Sequence, residues 1–424
     1  MRANLNKLLF VGNILILMVA IILANLRALL FVPLYPEASN LADPAWIGIA
    51  LWFLIAILAI MQIRLENLWG VFIFSWRKNW ALIIFMLLFL SSIFWSSDFS
   101  ASLFRVLEMF FTTLIGSYIG VRYSSKDMLR VLFWFGACLL IVSAAIILVF
   151  PNVGRMVLMP YNDAWRGIYW HKNHLGIIVA LISIVFLIRA IQAFKEKCME
   201  GWLDILFYVF SLVFVYFADS AGGYFVLIFL HLALILVLIW LKLRPLLRTV
   251  HYYAILLLCV VGALMMLANL GIVLDLFHRS LTLTGRTDLW EYLLHYMIPQ
   301  RLWFGYGYSG LWSSAQFDIA VKDQIGWGYP VVIADNGFLD ILLHLGLVGL
   351  ISLSTVLVIT VVRSVKFGLD RRTLPDFFSL LLVLYAFVAN ISYSLFFQTG
   401  TFIWLWIIAV LFLSTRFKFP APLN

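Results

Sequence analysis

The stretch 167-GIYWHKNHLGIIVALISIVFLIRA-190 contains two kinds of chemistry in 24 residues. From Leu175 onward the chain is almost wholly apolar up to Arg189, close to the roughly 20 residues that a membrane-spanning helix requires. Just ahead of that run, His171, Lys172 and His174 stand beside Tyr169 and Trp170. A polar, cationic cluster at the lip of a membrane helix is therefore the feature to explain.

The whole chain repeats the apolar half of this pattern. Of its 424 residues, 65% are hydrophobic and 12% charged, and the mean hydropathy is +1.05. That composition indicates an all-α polytopic membrane protein. Twelve apolar runs are expected to span, at 8–24, 46–63, 80–95, 106–121, 129–150, 175–191, 203–218, 224–241, 254–274, 337–362, 377–395 and 401–415. The first follows Arg2 and Lys7, but Asn25, Leu26 and Arg27 offer no small-residue cleavage site, so it reads as an uncleaved span.

Basic residues set the expected orientation, because Lys and Arg collect in cytoplasmic loops. With both termini inside, twenty of the 29 Lys and Arg fall on the inner face and nine on the outer. The net charge of +9 is then a topology signal lying against anionic lipid, and it calls for no nucleic-acid partner. Cys138, Cys198 and Cys259 are scattered over two spans and a loop, which suggests neither a disulfide framework nor a metal site. The chain reads as one integral membrane domain, 1–424. Within it, 275–336 forms a large outer loop between the ninth and tenth spans, and loops this long are usually functional. Its segment Arg286–Met297 carries Leu289, Leu293, Tyr296 and Met297 at helical spacing, as expected of an amphipathic helix.

The outer cations include Arg105, Arg155, Arg166, Lys172, Arg286 and Arg301. Three of the nine lie within 155–172, against the positive-inside trend, and guanidinium and ammonium groups suit phosphate oxygens. As a set they point to a site for a doubly anionic head group; singly, each also reads as an ion-pair partner or interface anchor. Aromatics crowd the same loops, among them Tyr169, Trp170 and Trp290. They read either as an interfacial belt or as stacking surfaces for sugars. Outer acids are few. Asp335 reads as the N-cap of the tenth span or as a general base, and Asp219 is a second candidate base. Asn336, Asp340 and His344 recur every four residues on one helix face, which would extend the polar site inward. His171 and His174 lack a third ligand at metal spacing, so no metal is proposed.

Several of these stretches together resemble the O-antigen ligase and Wzy-type polysaccharide polymerase superfamily. They are Trp95-Ser96-Ser97-Asp98 through Arg105, Arg166-Gly167 into His171-Lys172-Asn173-His174-Leu175-Gly176, Thr284-Gly285-Arg286-Thr287-Asp288-Leu289-Trp290, Gly305-Tyr306-Gly307, and Asp335-Asn336-Gly337-Phe338-Leu339 leading to Leu345-Gly346-Leu347. The resemblance implies a GT-C-like membrane enzyme, an inverting glycosyltransferase that needs no metal or cofactor. Its donor would be a glycan on undecaprenyl diphosphate at the periplasmic face of the bacterial plasma membrane, with a glycan acceptor and room for a chain-length regulator as partner. It implies Arg286, Arg166 and Lys172 as diphosphate ligands, Asp335 as base, and His171, Asn173, Asn336, Asp219, Arg105, Tyr169, Trp170 and Trp290 around the substrate.

Two positions depart from the ligase pattern. Ala221 stands where ligases carry arginine in Ser-Arg-Gly, and Asp335-Asn336 stands where they carry His-Asn. The Asp-Asn-Gly form is similar to exopolysaccharide polymerases of the ExoQ type, so polymerisation is expected ahead of ligation to lipid A core. A lipid-linked sugar transporter or flippase is the reading from another class, since twelve spans with both ends inside is also a carrier plan.

Overall fold

A computed structural model describes residues 45–157, 163–243, 286–312, 331–396 and 402–416, with the single positions 314, 317 and 319. The expected first and ninth spans, residues 275–285 and the stretch 320–330 lie outside the described residues.

The ten expected spans that fall within the described residues are all helical. They are α1 (Ala45–Leu65), the bent pair α2 (Trp69–Lys78) and α3 (Trp80–Ser91), α4 (Phe99–Arg122), α5 (Ser125–Val149), α6 (Lys172–Lys195), α7 (Glu200–Ala218) and α8 (Ala221–Leu243). After the outer loop, whose helix α9 is Arg286–Tyr292, come α10 (Gly337–Arg371), α11 (Leu374–Ser392) and α12 (Phe402–Arg416). Eight are long and apolar enough to cross a membrane, or nine if α2 with α3 and its 3₁₀ extension to Trp95 is one span broken by 77°. The chain is a multi-pass α-helical membrane protein.

Helix α12 is shorter than a full span at 15 residues, yet every residue from Phe402 to Thr415 is buried. A helix that is apolar all round belongs inside a bundle. Its neighbour α4 reaches it through Gly116 and Gly120, where an added Cβ would fall 2.7 Å from the Leu405 carbonyl oxygen and 2.2 Å from that of Ala409. Small residues four apart bring the backbones together where lipid offers no hydrophobic drive to helix association. Helices α6 and α11 are the other two largely buried elements, and α8 packs on both. Ile57, Leu87, Leu148, Val209, Ile235 and Ile351 form part of an exposed apolar exterior, as lipid contact requires.

Contacts sort the loops into two faces. On one, Glu66 pairs with Arg122, Lys126 with Glu196 at 3.2 Å, and Ser125 Oγ donates to Asp376 at 2.7 Å. On the same face Arg363 of α10 donates to Asn79 Oδ1, to Thr415 Oγ1 at 2.9 Å and to the Lys78 carbonyl at 2.9 Å. This is the face expected to be inner. The opposite face gathers 95–98, 163–174, 219–222, 286–310, 334–336 and 390–396.

Candidate active site

The triplet Asp335-Asn336-Gly337 divides three tasks. Asn336, not Asp335, is the N-cap of α10: its Oδ1 accepts from the backbone N–H of Phe338 at 3.0 Å and of Leu339 at 3.2 Å. Gly337 lies so close to Asn390 that a Cβ there would fall 2.1 Å from the Asn390 Oδ1. Asp335, relieved of capping, takes a left-handed backbone (φ 54°) and turns its carboxylate to Arg286, Oδ2 to Nη2 at 2.9 Å.

Arg286 and Trp290 are four apart, so they share a face of α9. Trp290 Nε1 donates to the Ala334 carbonyl at 2.7 Å, one residue ahead of the carboxylate that Arg286 holds. Both therefore grip the segment that leads into α10. Arg286 also donates through Nη1 to the Ser392 carbonyl at 2.8 Å, tying in the end of α11. Burial pushes the Asp335 carboxyl above the usual carboxylate range, and the Arg286 charge works against that rise.

A second ion pair lies at the start of α6. Lys172, with 8% of its side chain exposed, pairs with Asp219 Oδ2 at 3.1 Å and donates to the Asp219 carbonyl at 2.7 Å. Asp219 ends α7 in a left-handed conformation (φ 45°). His171 caps α6, its Nδ1 accepting from the Asn173 N–H at 3.2 Å, which leaves Nε2 as the protonated nitrogen of the neutral ring. The imidazole pKa is pushed down to about 4, first by burial and then by the charges of Arg286, Lys172 and Arg166. The charges of Arg286 and Lys172 thus both act on one histidine. Gly222 lies against the Ser392 hydroxyl, so α8, α11 and α9 meet at this point. Tyr393 completes it: its ring is 5.6 Å from His174, and burial, then the Asp335 charge, pushes its phenol up.

Other expected residues are placed differently. Tyr169 is buried and stacked on His174 at 4.3 Å, so it backs the histidine and presents no face to a sugar, whereas Trp170 is 56% exposed. Arg166 donates to the carbonyls of Val153 at 2.7 Å and Trp170 at 3.3 Å, bracing the turn before α6. Asp340 and His344 do share the Asn336 face and are buried, but each is used by backbone: Asp340 accepts from the Ala334 N–H at 3.1 Å and His344 Nδ1 from the Ser309 N–H at 3.2 Å. They pin the outer loop, where the sequence suggested an inward extension of the site. Arg105 is half-buried and close enough for its charge to act on His344. The expected amphipathic helix is present, but after Tyr292 it widens to a π-helix over Leu293–Met297 and then tightens to 3₁₀ over Ile298–Arg301. Its buried face is consequently Leu289, Tyr292, Leu293 and Ile298, with Tyr296 outside.

Sequence reasoning missed Asn390, Ser392 and Tyr393. Asn390 Oδ1 accepts from the N–H groups of Leu395 at 2.8 Å and Phe396 at 3.0 Å and so shapes the turn after α11. The signal available was the polar run Asn390-Ile391-Ser392-Tyr393-Ser394 closing an apolar span.

A comparison with curated proteins gives no match. Residues 206–354 match the family model described as O-antigen ligase, a stretch that runs from α7 into α10 and includes Asp219, Arg286, Trp290, Asp335 and Asn336. That match covers about a third of the chain and, with the ordered motifs that meet at one face, makes this part of the chain similar to the O-antigen ligase family.

Proposed function

We propose that this protein is a polymerase that joins oligosaccharide repeat units carried on undecaprenyl diphosphate, with the reaction at the periplasmic face of the plasma membrane and both chain termini cytoplasmic. The observation that carries the reading is the Arg286–Asp335 pair at 2.9 Å: an anion-binding cation and a carboxylate raised by burial stand side by side at one bundle mouth. In the proposed reaction an acceptor hydroxyl attacks the anomeric carbon of the donor sugar and forms the new glycosidic bond. The bond from that carbon to the phosphate oxygen breaks, and the lipid diphosphate leaves with the electron pair. The hydroxyl proton passes to the Asp335 carboxylate.

Charge developing on the leaving diphosphate would be met by Arg286 and Lys172, fixed donors of the kind that stabilise transition states. His171, neutral above about pH 5 by its lowered pKa, would give one hydrogen bond to a phosphoryl or sugar oxygen. Asn173, Asn336, Trp170 and Trp290 border the same mouth and are proposed to position sugars; Arg105 and Arg166 would raise its positive potential. A GT-C-like architecture and an ExoQ-type specificity are part of this proposal, the second because Asp335 and Ala221 replace the ligase residues.

The test is turnover by the purified full chain supplied with a radiolabelled undecaprenyl-diphosphate repeat unit. A ladder of products with release of undecaprenyl diphosphate is expected. Release that occurs only after lipid A core is added would identify a ligase. Binding of the lipid without turnover under either condition would support transport.

A further inference from the structure

Both cations of the site are held in the same way. Each has one backbone ligand, the Ser392 carbonyl for Arg286 at 2.8 Å and the Asp219 carbonyl for Lys172 at 2.7 Å, and each has one carboxylate. The carboxylates share two further properties, one of backbone and one of exposure. Each comes from a left-handed backbone position, φ 45° for Asp219 and 54° for Asp335, which Asp tolerates better than most residues. Asp335 is spared helix capping, because Asn336 does that work for α10. Finally, each carboxylate is more exposed than its cation: 48% against 8% for Asp219 and Lys172, and 27% against 13% for Asp335 and Arg286. A ligand arriving at the mouth meets the carboxylates first, and the backbone carbonyls keep both cations in place if the carboxylates turn away.

We propose that Asp219 and Asp335 are exchangeable placeholders that make the site selective for a ligand carrying two phosphoryl groups over singly charged phosphodiester lipids. The inference rests on the reading of the site as one for a lipid diphosphate. A buried cation stripped of its partner is costly, so a ligand must supply one anionic group for each carboxylate it displaces. A phosphodiester lipid of the surrounding bilayer has one charge; it replaces one aspartate and leaves the second pair closed. A diphosphate spans both cations and releases both aspartates, one of which is then free to serve as base. Asp219 thereby acts as a specificity-determining residue, away from the reacting atoms.

The experiment uses the full chain in detergent, with tritiated farnesyl diphosphate as probe and a short-chain phosphatidylglycerol as competitor. Wild type is expected to bind the probe and to resist the competitor. Asp219→Asn should retain the probe and make phosphatidylglycerol about tenfold more effective as a competitor, the scale of one charged hydrogen-bonded contact. Asp335→Asn, acting on the other cation, should change discrimination in the same direction. If both variants discriminate as wild type does while Arg286→Ala and Lys172→Ala lose the probe, the placeholder role is overturned and the diphosphate site stands. Unchanged probe binding in Arg286→Ala and Lys172→Ala would overturn the diphosphate site itself, and the placeholder role with it.

Discussion

Arg286 holds a carboxylate and a main-chain carbonyl from two different segments, so its removal loses more than charge. Arg286→Ala should lower turnover by about 10²–10³-fold, the usual loss for one fixed donor to a developing anion. Arg286→Lys should recover little, since an ammonium cannot reach Asp335 and Ser392 with a planar fork. Initial rates of undecaprenyl diphosphate release check both, and a lysine variant at wild-type rate would rule out the two-point grip. For Asp335 the sign of the pH effect follows from burial. A raised carboxyl stays protonated to higher pH, and a protonated acid cannot accept the acceptor's proton. Activity should therefore fall as pH drops through a pKa lying above the ordinary value of about 4. A pH–rate profile measures this limb; its persistence in Asp335→Asn would assign it to another group.

Helix α10 shows what an element can do with a broken backbone. Gly346, at φ 64° and ψ −164°, occupies a region open essentially to glycine, and the helix is interrupted there. The outer loop fills the gap: the Tyr306 N–H donates to the Leu343 carbonyl at 2.7 Å, and the N–H groups of Leu347 and Val348 donate to the carbonyls of Leu302 and Trp303 at 2.8 and 3.2 Å. Backbone groups at membrane depth need such partners. On the loop's far side, Trp95 Nε1 donates to the Phe304 carbonyl at 3.1 Å and Ser97 Oγ to that of Gly310 at 2.6 Å. Gly346→Ala would force a strained φ costing about 1–3 kcal/mol and put a Cβ 2.3 Å from Trp303 backbone. The loop should then loosen, seen as faster amide exchange over residues 302–310 and a lower melting temperature. Exchange at the wild-type rate would mean that the loop is held elsewhere.

At the scale of the molecule, the two sorted faces predict which residues a membrane-impermeant reagent can reach. Single cysteines at Asp163 and at Lys197, in a background without Cys138, Cys198 and Cys259, should label from opposite sides of the membrane. In intact spheroplasts Asp163→Cys is expected to react and Lys197→Cys to react only after lysis. Labelling of both from one side would reverse the sorting.

Much of this was legible in the chain. Apolar runs placed ten described helices close to their observed positions, because a bilayer demands length and composition that no other context rewards. Local order was legible too: Asp335-Asn336-Gly337 announced a helix start, and the four-residue step from Arg286 to Trp290 announced a shared face. What the sequence could not assign was the partner of each polar group. That Asn336 caps while Asp335 pairs, that Lys172 is held by Asp219, and that Ser392 and Tyr393 join the site depend on segments from about 50 to about 220 residues apart meeting at one mouth. Nor could it show that Tyr169 would be buried or that a π-turn would rotate the face of α9. Hydrophobicity and helical period are properties of neighbours in the chain and survive in one dimension; ion pairing and burial are properties of neighbours in space, and the tertiary structure alone decided them.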